Sequence, residues 1–294
     1  MMIPTSAVLE NGLRQDVTHI AGKIGERNLQ HYDALREAER YISQRLQASG
    51  RPVNRLVMRV HDRDVANLEI EWKGTHQPES IIVIGAHYDS VQGCPGANDN
   101  GTGVAALLAA AEAFAQLSPR KTLRLVAFVN EEPPYFQGEN MGSLVYARGA
   151  KAKGERIEAM LSLETMGYFS DEKESQKYPF PLNLVYPDKG NFIGLVANRA
   201  SSPLLNQVAK AFEEARTIPF EKGAFMEALP GVGWSDHWSF WQSGYQALMI
   251  TDTAPFRYPF YHTREDTPEK VDYPRLGQVT RALFKAIENL AFEP

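Results

Sequence analysis

The sequence predicts an α/β chain built on one mixed, mainly parallel central sheet with helices on its flanks. Three observations lead there. The continuous apolar run Ile81–Ala86 reads as a strand covered on both faces, and Leu123–Val129 is its like. Between them lies a helical run, Gly101–Leu117, so strand, helix and strand make one right-handed crossover unit. Further apolar stretches at 157–167, 192–198 and 245–254 alternate with helical ones. That alternation belongs to α/β architecture.

The elements follow in order. Residues up to about Ala48 read as helical, with Leu35, Ala38, Tyr41, Ile42 and Leu46 on one face and Gly50 as the stop. Leu56, Met58 and Val60, then Leu68, Ile70 and Trp72, have period two on either side of a polar turn at His61–Asp64. They predict an antiparallel pair at a sheet edge. The Ile81 run is the central strand. The helix after Gly101 turns Val104, Leu107, Leu108, Ala111 and Phe114 inward. Residues 141–154 read as a short helix. Residues 168–191 are polar and contain prolines, a long loop at the rim of the strand ends. Residues 201–216 form a helix with a serine cap. Residues 217–234 are rich in Gly and Pro and read as irregular, and 235–244 as a short helix stopped by Gly244. A loop at 257–272 precedes a closing helix from about Tyr273, with Leu276, Val279, Leu283, Ile287 and Leu290 inward. No repeat or linker interrupts the series, so 1–294 is read as a single domain.

Apolar residues are 43% and charged residues 23% of the chain, ordinary for a globular protein. The net charge of −5 leaves no basic excess to meet phosphates, which argues against nucleic acid as a partner. The one cysteine, Cys94, permits no intramolecular disulfide, and its Gly/Pro loop makes it incidental. The first residues lack a basic-then-apolar leader pattern, and no run approaches the roughly 18 apolar residues of a membrane span. The expectation is a soluble, cytoplasmic chain with no membrane partner.

The chemistry-bearing residues gather where strands end. His19, His31, His61 and His76 lie in helices or polar turns and read as surface imidazoles. His87, His237 and His262 sit beside acids. Asp89, two positions after His87, can fix the ring's second nitrogen, as a partner to a metal-bound imidazole does. Asp99 precedes a helix and reads as its N-cap, while its two oxygens also suit a bridge between two cations. Glu131 and Glu132 are adjacent carboxylates after a buried strand, a repulsive pair that a cation would offset. One would bind metal and the other accept a proton from water. Glu164 ends a third strand. Imidazole and carboxylate ligands without thiolate favour zinc, with manganese or cobalt as alternatives.

The segments HYDS (87–90), PGANDNGTG (95–103), AFVNEE (127–132), LETMGY (163–168), SDHWSFW (235–241) and the run from TDTA through YHT to DTPEKVDY (251–273) resemble the co-catalytic zinc aminopeptidases of the bacterial leucyl and Streptomyces type. The resemblance covers most of residues 30–290. It implies the zinc-exopeptidase, or phosphorylase/hydrolase-like, fold that this family shares with glutamate carboxypeptidases and glutaminyl cyclases. It implies two zinc ions, one on His87, Asp99 and Glu164 and the other on Asp99, Glu132 and His262. Glu131 would be the general base and Tyr261 a donor to the developing oxyanion. Asp236 would support the metals or the substrate, with His237 in the same network. One departure is Glu164, where most of the family has Asp, so the ligand geometry must absorb one methylene. The implied substrate is a peptide or small aminoacyl compound. Glu164 or a loop carboxylate would hold the free amine, and Phe136, Met166, Tyr168 and Phe240 are candidates for a side-chain pocket. The alternatives are a glutaminyl-cyclase-type aminoacyltransferase, a carboxypeptidase, and a non-catalytic binding relative.

Overall fold

The structure, a computed structural model, describes residues 4–293. Its eight strands form one sheet: β1 (Asn54–Val60), β2 (Arg63–Trp72), β3 (Gln77–His87), β4 (Lys121–Phe128), β5 (Arg156–Glu164), β6 (Ile193–Asn198), β7 (Phe220–Phe225) and β8 (Ala247–Thr251). The order across the sheet is β1-β2-β4-β3-β5-β8-β6-β7. Strands β4, β3, β5 and β8 run parallel. The β1–β2 hairpin closes one edge with antiparallel pairing, as its alternation predicts. At the other edge β6 is antiparallel to β8 and parallel to β7.

Helices cover both faces. On one lie α1 (Ser6–Val17), α2 (Tyr32–Gln47), α3 (Gly103–Ala113), α5 (Ser202–Ala215) and α8 (Tyr273–Ala291); on the other lie α4 (Gly142–Ala152) and α6 (His237–Gln242). Side-chain alternation along β3 serves both layers. Ile82, Ile84 and Ala86 join the larger core, while Ile81 and Val83 join the smaller one with Phe128, Tyr146 and Phe240. This double burial is why β3 carries no polar alternation. From β3 the chain passes through α3 to β4 on one side, then through α4 to β5 on the other. Connections that leave a central strand in opposite directions open a crevice at its carboxyl end, where α/β sheets place ligands.

Three expectations need correction. The N-terminal helical region is two helices, because Gly25 (φ 79°) breaks the first and residues 25–31 cross to α2 in irregular conformation. Helix α3 is buried nearly all round rather than on one stripe, since α1, α2 and α8 pack on its outer side. Within 217–234, Phe220–Phe225 is an edge strand that pairs with β6 along its whole length. No helix among the described residues is long and apolar enough to cross a membrane.

Gly142 locks the end of β4 to α4. Its amide donates to the Val129 carbonyl (2.8 Å), and its carbonyl accepts from Asn67 Nδ2 (2.8 Å). A β-carbon there would collide with the Val129 carbonyl oxygen and Asn67 Oδ1. Gly142→Ala is therefore expected to cost about 1–3 kcal/mol, as overpacking does. Urea denaturation with an unchanged midpoint would contradict it.

Candidate metal centre

Strand ends and the turns after them deliver the cluster. His87 is the last residue of β3, Glu164 the last of β5, and Glu131 and Glu132 follow β4. Asp99 lies in the irregular turn Ala97–Thr102 that leads into α3, and its side chain caps nothing, contrary to the N-cap expectation. His262 lies in the loop after α7 (Ala254–Arg257).

The side chains of these residues converge. Asp99 Oδ1 is 3.4 Å from His87 Nε2, and Asp99 Oδ2 is 3.1 Å from His262 Nε2. Glu164 Oε2 stands 3.3 Å from His87 Nε2, and Glu132 Oε2 stands 3.3 Å from His262 Nε2. Glu131 Oε2 is farther from His87 Nε2, at 3.8 Å. Two ligands about 2.05 Å from a tetrahedral cation lie roughly 3.3 Å apart, so these spacings suit pairs of ligands that share an ion. The fit has a second sign. Both ring nitrogens of fully buried His87 and Oε1 of Glu132 lack a hydrogen-bond partner. Orphaned buried polar atoms are costly; cations on either side of Asp99 would satisfy His87 Nε2 and the Glu132 carboxylate, while His87 Nδ1 faces Asp89.

The electrostatics of the ion-free cluster agree. Burial pushes Glu132 up to about 7, reinforced by Asp99 and opposed by His262. Burial likewise raises Glu131 and Glu164, against the pull of His87. For His262 burial disfavours the charge, yet hydrogen bonds to Asp99 and Glu132 lift it to about 10. His87 is raised too, because Glu131 and Glu164 outweigh its burial. Although burial opposes it, Asp99 is held below the usual carboxylate range by the nearby imidazoles of His262 and His87.

Neighbours fix this arrangement. Asp89 accepts the amides of Glu131 and Glu132 on separate oxygens, each at 3.1 Å, with Oδ1 also 3.7 Å from His87 Nδ1. Two asparagines that the sequence reading passed over flank the bridge. Asn100 donates to the Leu163 carbonyl (2.7 Å) and accepts the Thr165 amide (3.1 Å), which grips β5 on both sides of Glu164. Asn98 accepts the Gly167 amide (2.8 Å) and donates to Asp252 (2.9 Å). Asp266 accepts the amides of Asn98 and Asp99 and the Tyr258 hydroxyl, which ties the His262 loop to the bridge. Fully buried Arg27 donates to the carbonyls of Tyr88, Pro95, Gly96 and Gly25. Its signal was faint, a lone arginine in an unpatterned stretch. Asn130, Thr165 and His262 are non-glycine residues in left-handed conformation, each next to or within the cluster. Strain of that kind collects at functional sites.

His237 lies outside the network that the resemblance implied. Its Nε2 donates to the Val232 carbonyl at 2.7 Å and its ring packs on Trp241, pointing into the smaller core. Asp236 is fully buried with neither oxygen bonded, and burial lifts it to about 7. Burial depresses His237 to about 4. The unfolded chain therefore binds the His237 proton more readily than the fold does. Over pH 6.5 to 4 this residue costs about 3 kcal/mol of stability, against the opposite contribution of Asp236. His237→Gln should remove that loss, so the Tm difference should move in the variant's favour as pH falls; a difference constant with pH would contradict the assignment.

Tyr261 stacks on His262, ring centroids 3.8 Å apart. Burial and then the charges of Asp99 and Glu132 raise its phenol, so it stays protonated and able to donate. Beside Glu164 and Tyr261 opens a cleft with walls of Tyr178, Leu182, Phe225, Val232, Trp234 and Phe256. None of the four pocket candidates lines it. Met166 and Phe240 are fully buried in the two cores, Tyr168 packs on Tyr258, and half-buried Phe136 lies in the loop after β4. The 168–191 loop does form a rim: Gln176, Tyr178 and Tyr186 come from it.

Two imidazoles and four carboxylates gathered at the strand ends of a mixed α/β sheet and in the loops beside them have the make-up of a metal centre, and sequence similarity places the chain among the metallopeptidases. The chain belongs to peptidase family M28, whose model matches residues 67–287. It is 31% identical over 286 residues to the uncharacterized protein YfbL of Escherichia coli (strain K12), spanning 94% of this chain and 87% of that one. It is 30% identical over 216 residues to aminopeptidase YwaD of Bacillus subtilis (strain 168), 71% of this chain but only 41% of YwaD. The zinc aminopeptidase BSAP from Bacillus subtilis superposes with a TM-score of 0.78 at 15% identity, covering 97% of this chain and 95% of that one. The glutaminyl cyclase of Fimbriiglobus ruber superposes at 0.73 and 17% identity, with 95% of each chain covered. These two likenesses show the fold.

Proposed function

We propose that the chain is a two-zinc aminopeptidase that removes the first residue of a peptide. The observation that carries this reading is Asp99, whose two oxygens face two imidazoles, each with a second carboxylate beside it. His87, Asp99 and Glu164 would hold one ion; Asp99, Glu132 and His262 would hold the other. Bound there, the cations would polarise the scissile carbonyl and acidify a water.

The residues of the chain do the rest. Glu131 stands back from the ligand spacing and its carboxyl is held above the ordinary range. It takes a proton from the attacking water and returns it to the leaving amine. Tyr261 donates to the carbonyl oxygen as charge develops there. Recognition of an amino terminus follows from charge. Glu164 fronts the cleft and Glu221 also lines it; among the described residues no arginine does, and Lys222, the one basic residue there, alternates to the strand face away from Glu221. A cleft that presents carboxylates attracts an ammonium group; a terminal carboxylate would need a cationic fork. Aromatic walls close the cleft around one side chain, which suits an exopeptidase. YwaD and the fungal probable leucine aminopeptidases support the reading, although the chain spans about half their lengths.

Zinc-loaded protein should cleave free-amine leucyl-p-nitroanilide and lose at least 95% of the rate, as an order of magnitude, on chelation. It should leave the N-acetylated analogue intact. Equal cleavage of both substrates, or ring closure of N-terminal glutamine in place of hydrolysis, would overturn the aminopeptidase reading.

A further inference from the structure

The cleft beside Glu164 is apolar except at its far end. Register defines a row across the sheet: Glu164 pairs with Thr251, Thr251 with Gly194, and Gly194 with Glu221. Directly paired residues share a face, so Glu164 and Glu221 look into the same cleft from opposite ends. Both residues line it. Three strand spacings separate them, roughly 14 Å between backbones. Gly194 in the middle of the row adds no side chain and leaves the floor open.

Glu221 has no evident partner. Among the described residues no cation lies within ion-pair reach of it, and no hydrogen bond reaches its carboxylate. The two hydroxyls nearest it are committed elsewhere. Tyr178 donates to the Pro187 carbonyl at 2.7 Å, and Tyr186 donates to the Lys222 carbonyl at 2.9 Å. Strand alternation sends Phe220 and Lys222 to the opposite face, where Phe220 packs on Phe212. Arg257, behind the rim, is bound to Gln176 and to the carbonyls of Tyr168 and Phe192. Burial raises the carboxyl of Glu221 with no cation to offset it. A half-buried carboxylate among aromatic rings and without an ion-pair partner is free to receive a cationic group.

We propose that the first residue of the substrate is basic, lysine or arginine, with its ammonium or guanidinium on Glu221 beside the stacked rings of Tyr178 and Tyr186. The inference rests on the aminopeptidase reading above. A lysine or arginine stem extends roughly 6–7 Å from its Cα. With the two glutamate side chains reaching inward, that length spans the row from the amine end to the distal carboxylate. The apolar walls take the methylene stem, and the stacked pair Tyr178 and Tyr186 lines the cleft on the side of the cation.

The test compares lysyl-, arginyl- and norleucyl-p-nitroanilide on zinc-loaded wild type and Glu221→Gln. Norleucine has the stem of lysine without its charge. Wild-type kcat/KM for lysine and arginine should exceed that for norleucine by about tenfold or more, as a charge-assisted hydrogen bond allows. In E221Q the lysine-to-norleucine ratio should fall by about the same factor. A wild type that prefers norleucine, or an E221Q ratio equal to wild type, overturns the proposal. Calorimetric binding of lysinamide and norleucinamide to the same proteins needs no turnover. If no anilide is cleaved, the aminopeptidase reading fails and binding decides this one. Tighter lysinamide binding that depends on Glu221 upholds it; equal binding of the two amides, or of neither, overturns it.

Discussion

Glu131→Gln should reduce kcat on aminoacyl-p-nitroanilides by about 10²–10⁴-fold while leaving the bound zinc in place. The argument is geometric first. Glu131 is 3.8 Å from His87, whereas the carboxylate oxygens of Asp99, Glu132 and Glu164 stand at 3.1–3.4 Å from the imidazoles. Glutamine keeps the shape and the backbone hold on Asp89, but it cannot accept the proton of a water. The loss should fall on kcat and kcat/KM alike, because the interaction is made only in the transition state. The metal-free variant should melt no lower than wild type. Burial, with Glu164 and Glu132, raises the Glu131 carboxyl against the pull of His87, so removing its charge relieves more desolvation and repulsion than it loses in attraction. Zinc content by atomic absorption and kcat on one substrate are sufficient. A variant that loses a zinc equivalent, or keeps more than about a tenth of the rate, would show that Glu131 is a ligand or a bystander.

The sequence made the parts with local signatures legible. Buried strands announce themselves as apolar runs, and carboxylates at their ends are anomalous enough to mark a cluster. His87, Glu131, Glu132 and Glu164 stand out on that ground, Asp99 by its place before a helix and His262 by the resemblance, and the six side chains converge. Strand β7 was hidden because an edge strand with Glu221, Lys222 and Gly223 shows neither an apolar run nor alternation; it is held by its neighbour β6. The clamps Asn98, Asn100 and Asp266 were missed for a related reason. Asn and Asp in a Gly-containing turn are ordinary turn chemistry, and only the fold reveals that their amide and carboxylate groups hold other strands. The cleft was misjudged because its walls come from loops far apart in the chain, 176–186, 230–234 and 253–256. The candidates near the motifs pack inward instead. Local pattern therefore located the charges, while the shape that selects a substrate is a non-local property.

Asp99→Asn should abolish tight binding at both cation sites, an effect larger than the loss of any terminal ligand. One side chain faces His87 with Oδ1 and His262 with Oδ2. The amide keeps the volume but has one acceptor oxygen and no charge, so each site loses either a ligand or the anion that balances its ion. His262→Ala removes a ligand from one site only and should leave one zinc equivalent on His87, Asp99 and Glu164. The expected stoichiometries are thus two for wild type, one for H262A and fewer than one for D99N, with activity in D99N down by at least about 10³-fold. Stability separates this from misfolding. In the ion-free protein Asp99 is the anion shared by both histidines, its carboxyl held low and His262 held up at about 10. A carboxyl lowered in the fold contributes stability above its unfolded pKa that disappears as pH falls through the folded value. D99N should therefore cost about 3–5 kcal/mol near neutral pH, the cost of leaving buried partners unpaired. That deficit should shrink in acid, where the wild type also loses the charge. Added zinc should raise the Tm of wild type and, less, of H262A, but not of D99N. A D99N protein that still binds one zinc tightly would mean that the two ions do not share this carboxylate.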